Sequence, residues 1–167
     1  MNDDARKTAL RMIPYGLYVL TAEAADGKVA AATVNWVTQA SFDPPLVAVG
    51  VKADSLAYTA IKESGSFALN VLGKNQQALA YNFFKPHERE GQSIGGESFT
   101  TASTGSPLLD ATPAQLECKL VETVKKGDHA VMVAEVVDAR VNEQPEGRPD
   151  DATLWLRDLG EKVFYGG

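Results

Sequence analysis

The apolar positions fall mostly into short β-branched runs bounded by Gly, Pro, Asp and Asn, a pattern that predicts more strand than helix. Strands are expected at Leu17–Thr21, Val29–Val34, Leu46–Val51, Phe67–Leu72, Leu116–Val124 and His129–Val141, with short closing strands at Leu154–Leu156 and Lys162–Tyr165. Asp26-Gly27 is a two-residue hairpin signal, because both residues tolerate positive φ, so the first two strands should be antiparallel neighbours. Lys125-Lys126-Gly127-Asp128 is a second turn of this kind. Leu46–Val51 is almost continuously apolar, which predicts burial on both faces or a place inside a closed barrel. The longest run, His129–Val141, puts Val131, Val133, Glu135 and Val137 on one face and Met132, Ala134, Val136 and Asp138 on the other. A strand of that length bends, as barrel strands do.

Helical spacing is rarer and peripheral. Asp4–Met12 reads as a helix capped by Asp3 or Asp4, with Leu10 and Ile13 inward and Pro14 ending it. A second runs from an Asp54 or Ser55 cap to Ser64, stopped by Gly65, with Leu56 and Ile61 offered to one face. A third follows Asn75 as cap, with Leu79 and Phe83 four apart and Pro86 closing it. Residues 85–106 are glycine-rich without a hydrophobic period and read as a long surface excursion, a lid or a dimer arm. These pieces favour a mainly β fold: a closed antiparallel barrel with peripheral helices.

A length of 167 residues predicts one domain, residues 1–167, large enough for a core without staples. The net charge of −6 and scattered basic residues argue against nucleic acid, whose binding needs concentrated Lys and Arg. No apolar run approaches signal-peptide or bilayer length, and the lone Cys118 allows no internal disulfide, so no membrane association and a cytoplasmic location are the expectations. Cys118 reads as a small buried hydrophobe.

Familiar catalytic machinery is missing: no G-x-S-x-G elbow, phosphate loop, G-x-G-x-x-G or H-E-x-x-H motif, and only His87 and His129 as histidines, which predicts no metal site. What stands out is the passage from Lys28 to Val51. Small and β-branched residues at Ala30–Val34 suit close approach of something flat, and Thr33, Asn35, Thr38, Gln39 and Ser41 set polar atoms among apolar neighbours. Taken alone, Thr33 and Val34 are ordinary strand residues, Trp36 is core, Ser55 is a helix cap and Lys52 is a solvated charge.

The segment Thr33-Val34-Asn35, followed by Ser41 and Asp43-Pro44-Pro45-Leu46-Val47, resembles the flavin-reductase-like proteins with the FMN-binding split barrel. Ile13-Pro14-Tyr15-Gly16, Phe67–Leu72, Pro107-Leu108-Leu109-Asp110, Leu116-Glu117-Cys118 and Gly127-Asp128-His129 extend that resemblance in order along nearly the whole chain. Tyr15–Thr21 looks most like the branch containing flavin domains that work beside rubredoxin or diiron partners. The resemblance implies a six-stranded antiparallel Greek-key split barrel that forms a homodimer. It implies a flavin, FMN or FAD, lying along Thr33, Val34, Asn35 and Trp36, with Ser41, Lys52 and Ser55 at the ribityl and phosphate end. Lys52-Ala53-Asp54-Ser55 departs from the family, many of whose members carry arginines followed by two hydroxyl residues, and Asp54 opposes a phosphate. His129 is implied to lie near the flavin face and position the nicotinamide. Tyr81, Phe83, Phe84, Trp155, Phe164 and Tyr165 are candidates to stack on the flavin or on a partner subunit.

The function implied is an NAD(P)H-dependent flavin reductase, passing hydride from NADH or NADPH to flavin and electrons to a monooxygenase, a ferric complex or a small redox protein. The alternatives are an FMN-carrying electron-transfer protein without a nicotinamide site and, more distantly, a split-barrel binder of haem or another ligand.

Overall fold

The computed structural model describes residues 1–167. Helix α1 (Asp3–Arg11) is capped by Asn2, whose side-chain oxygen accepts from the Ala5 N–H at 2.9 Å. None of its residues is buried, and Leu10 and Ile13 are exposed, contrary to the inward face its spacing suggests. The helix stands off the core and meets the rest of the chain through Arg11 near residues 164–167.

Strand β1 (Tyr18–Glu23) turns at Gly27, which takes φ +82°, and returns antiparallel as β2 (Val29–Val34) with Tyr18 opposite Val34. A third strand, β3 (Val37–Ser41), then pairs with β4 (Leu46–Lys52). β3 occupies the passage read as a polar connection: Thr38, Gln39 and Ala40 are exposed, so a two-faced edge strand left no hydrophobic alternation to detect. β4 also differs from expectation. Val47, Val49 and Val51 are buried, whereas Leu46, Ala48 and Gly50 are only half-buried.

Ser55 caps α2 (Leu56–Ser64), and Gly65 ends it at φ +71°. Ala57, Ala60 and Ile61 form its buried face, while Leu56 points outward. Strand β5 (Ser66–Val71) follows and is buried at almost every position. Gln76 stands at the N-terminus of α3 (Gln77–Asn82) in place of the expected Asn75, its carbonyl turned back to accept the Gly73 N–H at 2.8 Å.

Residues 85–106 are more than a surface excursion. With the next few residues they build a small antiparallel sheet of β6 (Arg89–Glu90), β7 (Ser93–Ile94), β8 (Glu97–Thr101) and β9 (Pro107–Leu109), which buries Ile94 and Phe99. Strands of two to five residues are too short to declare a period. The long hairpin of β10 (Ala114–Lys125) and β11 (His129–Val141) comes next, with register shifts between Glu117 and Cys118 and between Leu120 and Glu122. Such shifts let a long pair curve.

The main sheet runs β2-β1-β5-β10-β11-β4-β3, all neighbours antiparallel. It has seven strands where six were expected, and β3 is the addition. Leu20 on β1, Val49 on β4, Phe67 and Leu69 on β5 and Met132 on β11 meet Ile61 of α2 in one core, so the sheet curls and α2 plugs it. On the outer face of β1, Val19 packs with Leu72, just past the end of β5, and with Phe83, Ile94, Phe99 and Leu154. Each such buried side chain contributes about 1.5–3 kcal/mol relative to exposure. After Val141 the expected closing strands reduce to single bridges at Thr153 and Trp155 and a 3₁₀ turn at Leu156–Leu159. Residues 162–165 pair with no strand; Val163, Phe164 and Tyr165 line the cavity described next.

Candidate functional site

One end of the barrel opens into a cavity of about 430 Å³ with mostly apolar walls. Thr33, Val34 and Asn35 at the end of β2 form one side, and Gly50 to Lys52 at the end of β4 form another. Their approach depends on local backbone chemistry. Thr33 ties β2 to α3, its hydroxyl donating to the Ala80 carbonyl at 2.8 Å and its N–H to the Phe83 carbonyl at 3.1 Å. That tether carries Phe83 and Phe84 into the lining. Gly50 donates its N–H to the Trp36 carbonyl at 2.8 Å, and a Cβ there would lie 3.0 Å from the indole ring. Only glycine lets Trp36 lie across β4 without displacement.

Trp36 does not itself line the cavity. Its ring backs the residues that do, with centroids 4.7 Å from His129 and 5.3 Å from Tyr165. Ser41 is the expected site residue that the fold separates. It pairs with Leu46, four residues from Gly50 along β4, roughly 13 Å at strand rise, and lines no part of the cavity.

His129 opens β11 directly opposite Lys52, which brings an imidazole and an ammonium to the same end. The His129 side chain is only 15% exposed. Nδ1 lies 3.0 Å from Asp128 Oδ1 and Nε2 lies 2.8 Å from the Tyr165 hydroxyl. The hydrogen bond from His129 holds the Asp128 carboxyl below its ordinary range, so it is ionised at neutral pH and can only accept. Nδ1–H therefore donates to Asp128, and in the neutral imidazole Nε2 is left to accept from the Tyr165 hydroxyl, whose phenol is pushed up by burial. Asn35 is 5% exposed and donates through Nδ2 to the Tyr165 carbonyl at 3.2 Å.

At the other side the first turn of α2 faces the cavity through Ser55 and Ala57. The Ser55 hydroxyl accepts the Tyr58 N–H at 3.1 Å and donates to the Lys52 carbonyl at 2.7 Å, a complete helix cap. Lys52 Nζ sits 3.2 Å from Asp54, both side chains largely in solvent. Free N–H groups at a helix start, with one lysine beside them, form an anion subsite that Asp54 partly offsets.

The structure thus brings Thr33, Val34, Asn35, Lys52, Ser55 and His129 to one cavity, with Trp36 behind it and Ser41 outside. Of the aromatic candidates, Phe83, Phe84, Phe164 and Tyr165 line it; Tyr81 and Trp155 do not. Gly50 went unremarked in the sequence. Its signal was present, a glycine inside an otherwise β-branched strand, which marks a close approach. Cys118 is fully buried among the core residues, and that burial, with Glu117 adjacent, pushes its thiol up to about 12. With the thiol locked in the core, the cavity offers a flat wall, an amide, an imidazole and a cation. This donor set can hold a planar, phosphorylated heterocycle whose own ring performs the chemistry.

Comparison with known proteins agrees with that reading of the donor set. Residues 10–159 match the model of the flavin reductase like domain. Diflavin flavoprotein A 1 of Synechocystis sp. is 34% identical over 140 residues, 83% of this chain and 24% of that one, so the chain spans about a quarter of that relative. An NADH:FMN oxidoreductase of Rhodococcus erythropolis is 29% identical over 141 residues, 84% of this chain and 71% of that one. The styrene monooxygenase flavin reductase from Pseudomonas putida S12 superposes with a TM-score of 0.70 at 30% identity, covering 85% of this chain and 88% of that one. The match from residue 10 to residue 159 decides the assignment: this chain belongs to the flavin reductase like domain family.

Proposed function

We propose that this chain is an NAD(P)H-dependent flavin reductase that works on FMN bound in the 430 Å³ cavity. The observation that carries this reading is the convergence of Thr33–Asn35, the α2 N-terminus with Lys52, and His129 on one apolar cavity. When bound, the flavin supplies the hydride acceptance that no side chain here can. The chain's own work is placement. Val34 gives a flat wall, the buried Asn35 amide meets a polar ring edge, and Lys52 with the first N–H groups of α2 holds the phosphate. Trp36 supports His129 from behind, and Asp128 fixes its tautomer, so the imidazole borders the ring as a positioning group for the nicotinamide. The NADH:FMN oxidoreductase relative supports NADH as donor and FMN as acceptor; FAD and NADPH extend the same proposal.

Reduced flavin is handed to a monooxygenase or a small redox protein, a reading supported by the styrene monooxygenase reductase and the diflavin relative. We take residues 1–167 as one functional unit, acting in the cytoplasm. A homodimer is proposed on the outer face of the β10–β11 hairpin, where Val121, Val124, Val131 and Val137 are exposed; light scattering of the Val131→Asp variant tests it.

The experiment is the visible spectrum of purified protein with FMN, followed by anaerobic NADH and then NADPH. A flavin band bleached by NADH, with slower bleaching but retained FMN in His129→Ala, is the expected result. Bleaching by dithionite alone would identify an electron carrier instead, and absence of a flavin band after reconstitution would overturn the flavin assignment.

A further inference from the structure

Two of the polar side chains that line the cavity, Asn35 and His129, each hydrogen-bond to the same residue, Tyr165. The Tyr165 carbonyl accepts from Asn35 Nδ2 at 3.2 Å, and the Tyr165 hydroxyl lies at hydrogen-bond distance, 2.8 Å, from His129 Nε2. Its ring also lies against Trp36 at 5.3 Å. No strand or helix holds this stretch: residues 161–167 have no ladder partner, and Phe164 and Tyr165 remain half exposed. What holds it is Arg11 at the end of α1. The guanidinium lies 4.4 Å over the Phe164 ring, and Nε donates to the Gly166 carbonyl at 3.3 Å. Beyond Phe164 and Tyr165 is a second cavity of about 200 Å³, lined in part by Arg11 and Trp155, so the strap is a thin partition with space on both sides.

We infer that the Val163–Gly167 strap is an intramolecular occupant of the flavin site: Tyr165 holds the two groups that a planar ligand needs, and Arg11 is the latch that keeps it there. The inference rests on the flavin reading of the cavity. The Tyr165 carbonyl takes one N–H of the Asn35 amide, so a ligand whose ring edge uses that N–H competes with the strap for it. Displacement is cheap by design of the contacts. Three hydrogen bonds, two aromatic contacts of the Tyr165 ring and one cation–π contact hold residues 164–166, a half-exposed segment with room beyond it to receive the side chains. A site open only a fraction of the time binds with affinity reduced by that fraction. The strap thus lowers flavin affinity by slowing entry to the site.

The test measures FMN binding by quenching of flavin fluorescence, at equilibrium and in stopped flow, for this chain, for a variant ending at Gly160, and for Arg11→Ala in the complete chain. Arg11 is exposed and outside the cavity lining, so its replacement leaves the fold intact even if the shortened chain fails to fold. Removing the strap should tighten FMN about tenfold through faster association, and Arg11→Ala should do so about threefold. Unchanged or weaker FMN binding in both variants, with FMN still bound by the complete chain, would overturn the strap as an occupant and make it a mere wall. Failure of every form to bind FMN would overturn the flavin assignment and the strap's role with it.

Discussion

Gly50 and Trp36 act as one unit, and the unit sets where His129 stands. The ring of Trp36 lies against Gly50, and its centroid is 4.7 Å from that of the His129 imidazole in an edge-type contact. Gly50 has no positive φ requirement, so Gly50→Ala suffers no backbone strain; its cost is purely the collision of the new Cβ with the indole, 3.0 Å away. Overpacking of this kind costs about 1–3 kcal/mol. The β4 ladder holds residue 50 between Val49 and Val51, both buried, so the indole is what moves. Gly50→Ala should therefore change tryptophan fluorescence and lower kcat for NADH oxidation by roughly tenfold, with the unfolding midpoint only modestly reduced. Wild-type turnover in a folded Gly50→Ala protein would show that Trp36 plays no part in placing His129.

Elements whose side chains have two distinct faces, or whose ends carry turn chemistry, were legible in the sequence. The Gly27 turn, the Ser55 cap and the Gly65 stop answer to backbone requirements a single residue can announce, and the Gly127-Asp128 turn joins β10 to β11 without a positive φ at Gly127. Strand β3 and the small β6–β9 sheet were hidden because an exposed edge strand and two-residue strands bury too little to leave a period. The site followed the same division. Thr33, Asn35, Lys52, Ser55 and His129 were singled out by a family pattern, while Gly50 and the bonding of Tyr165 depend on contacts between residues far apart in the chain. Asn70 illustrates what such long-range contacts do for an element. Fully buried on β5, it donates to the Val19 carbonyl at 2.9 Å and the Thr21 hydroxyl at 3.0 Å, and accepts the Leu109 N–H at 2.8 Å. It therefore fastens the small sheet to the main one. Asn70→Ala strands the buried Leu109 N–H, while the Thr21 hydroxyl keeps its donation to the Pro107 carbonyl, and should cost about 1–3 kcal/mol. Urea unfolding should show a lower midpoint at an unchanged slope. A loss below about 0.5 kcal/mol would mean that β9 docks by its apolar residues alone.

At the scale of the molecule, charge works against the proposed ligands. The chain carries a net charge of −6, and FMN and nicotinamide dinucleotides are anions. Lys52 is the one basic side chain lining the flavin cavity, and Asp54 stands 3.2 Å from it. Two length scales separate these effects. Whole-molecule repulsion acts across tens of ångströms at about 0.01 M salt and is largely screened at about 0.1 M, where the Debye length is about 10 Å. The Lys52–Asp54 pair is much shorter than that and keeps its effect. Raising salt over this range should accelerate FMN association, the opposite of a basic funnel, whose steering weakens as salt rises. Asp54→Asn should act at the short scale: an exposed pair of this kind is worth up to about 1 kcal/mol, so FMN tightens by up to about fivefold. Riboflavin, which has no phosphate, should bind both forms equally. An Asp54→Asn variant that tightened riboflavin as much as FMN would place the phosphate away from Lys52. Association slowed by salt would mean that the cavity mouth is dominated by its single lysine despite the acidic body around it.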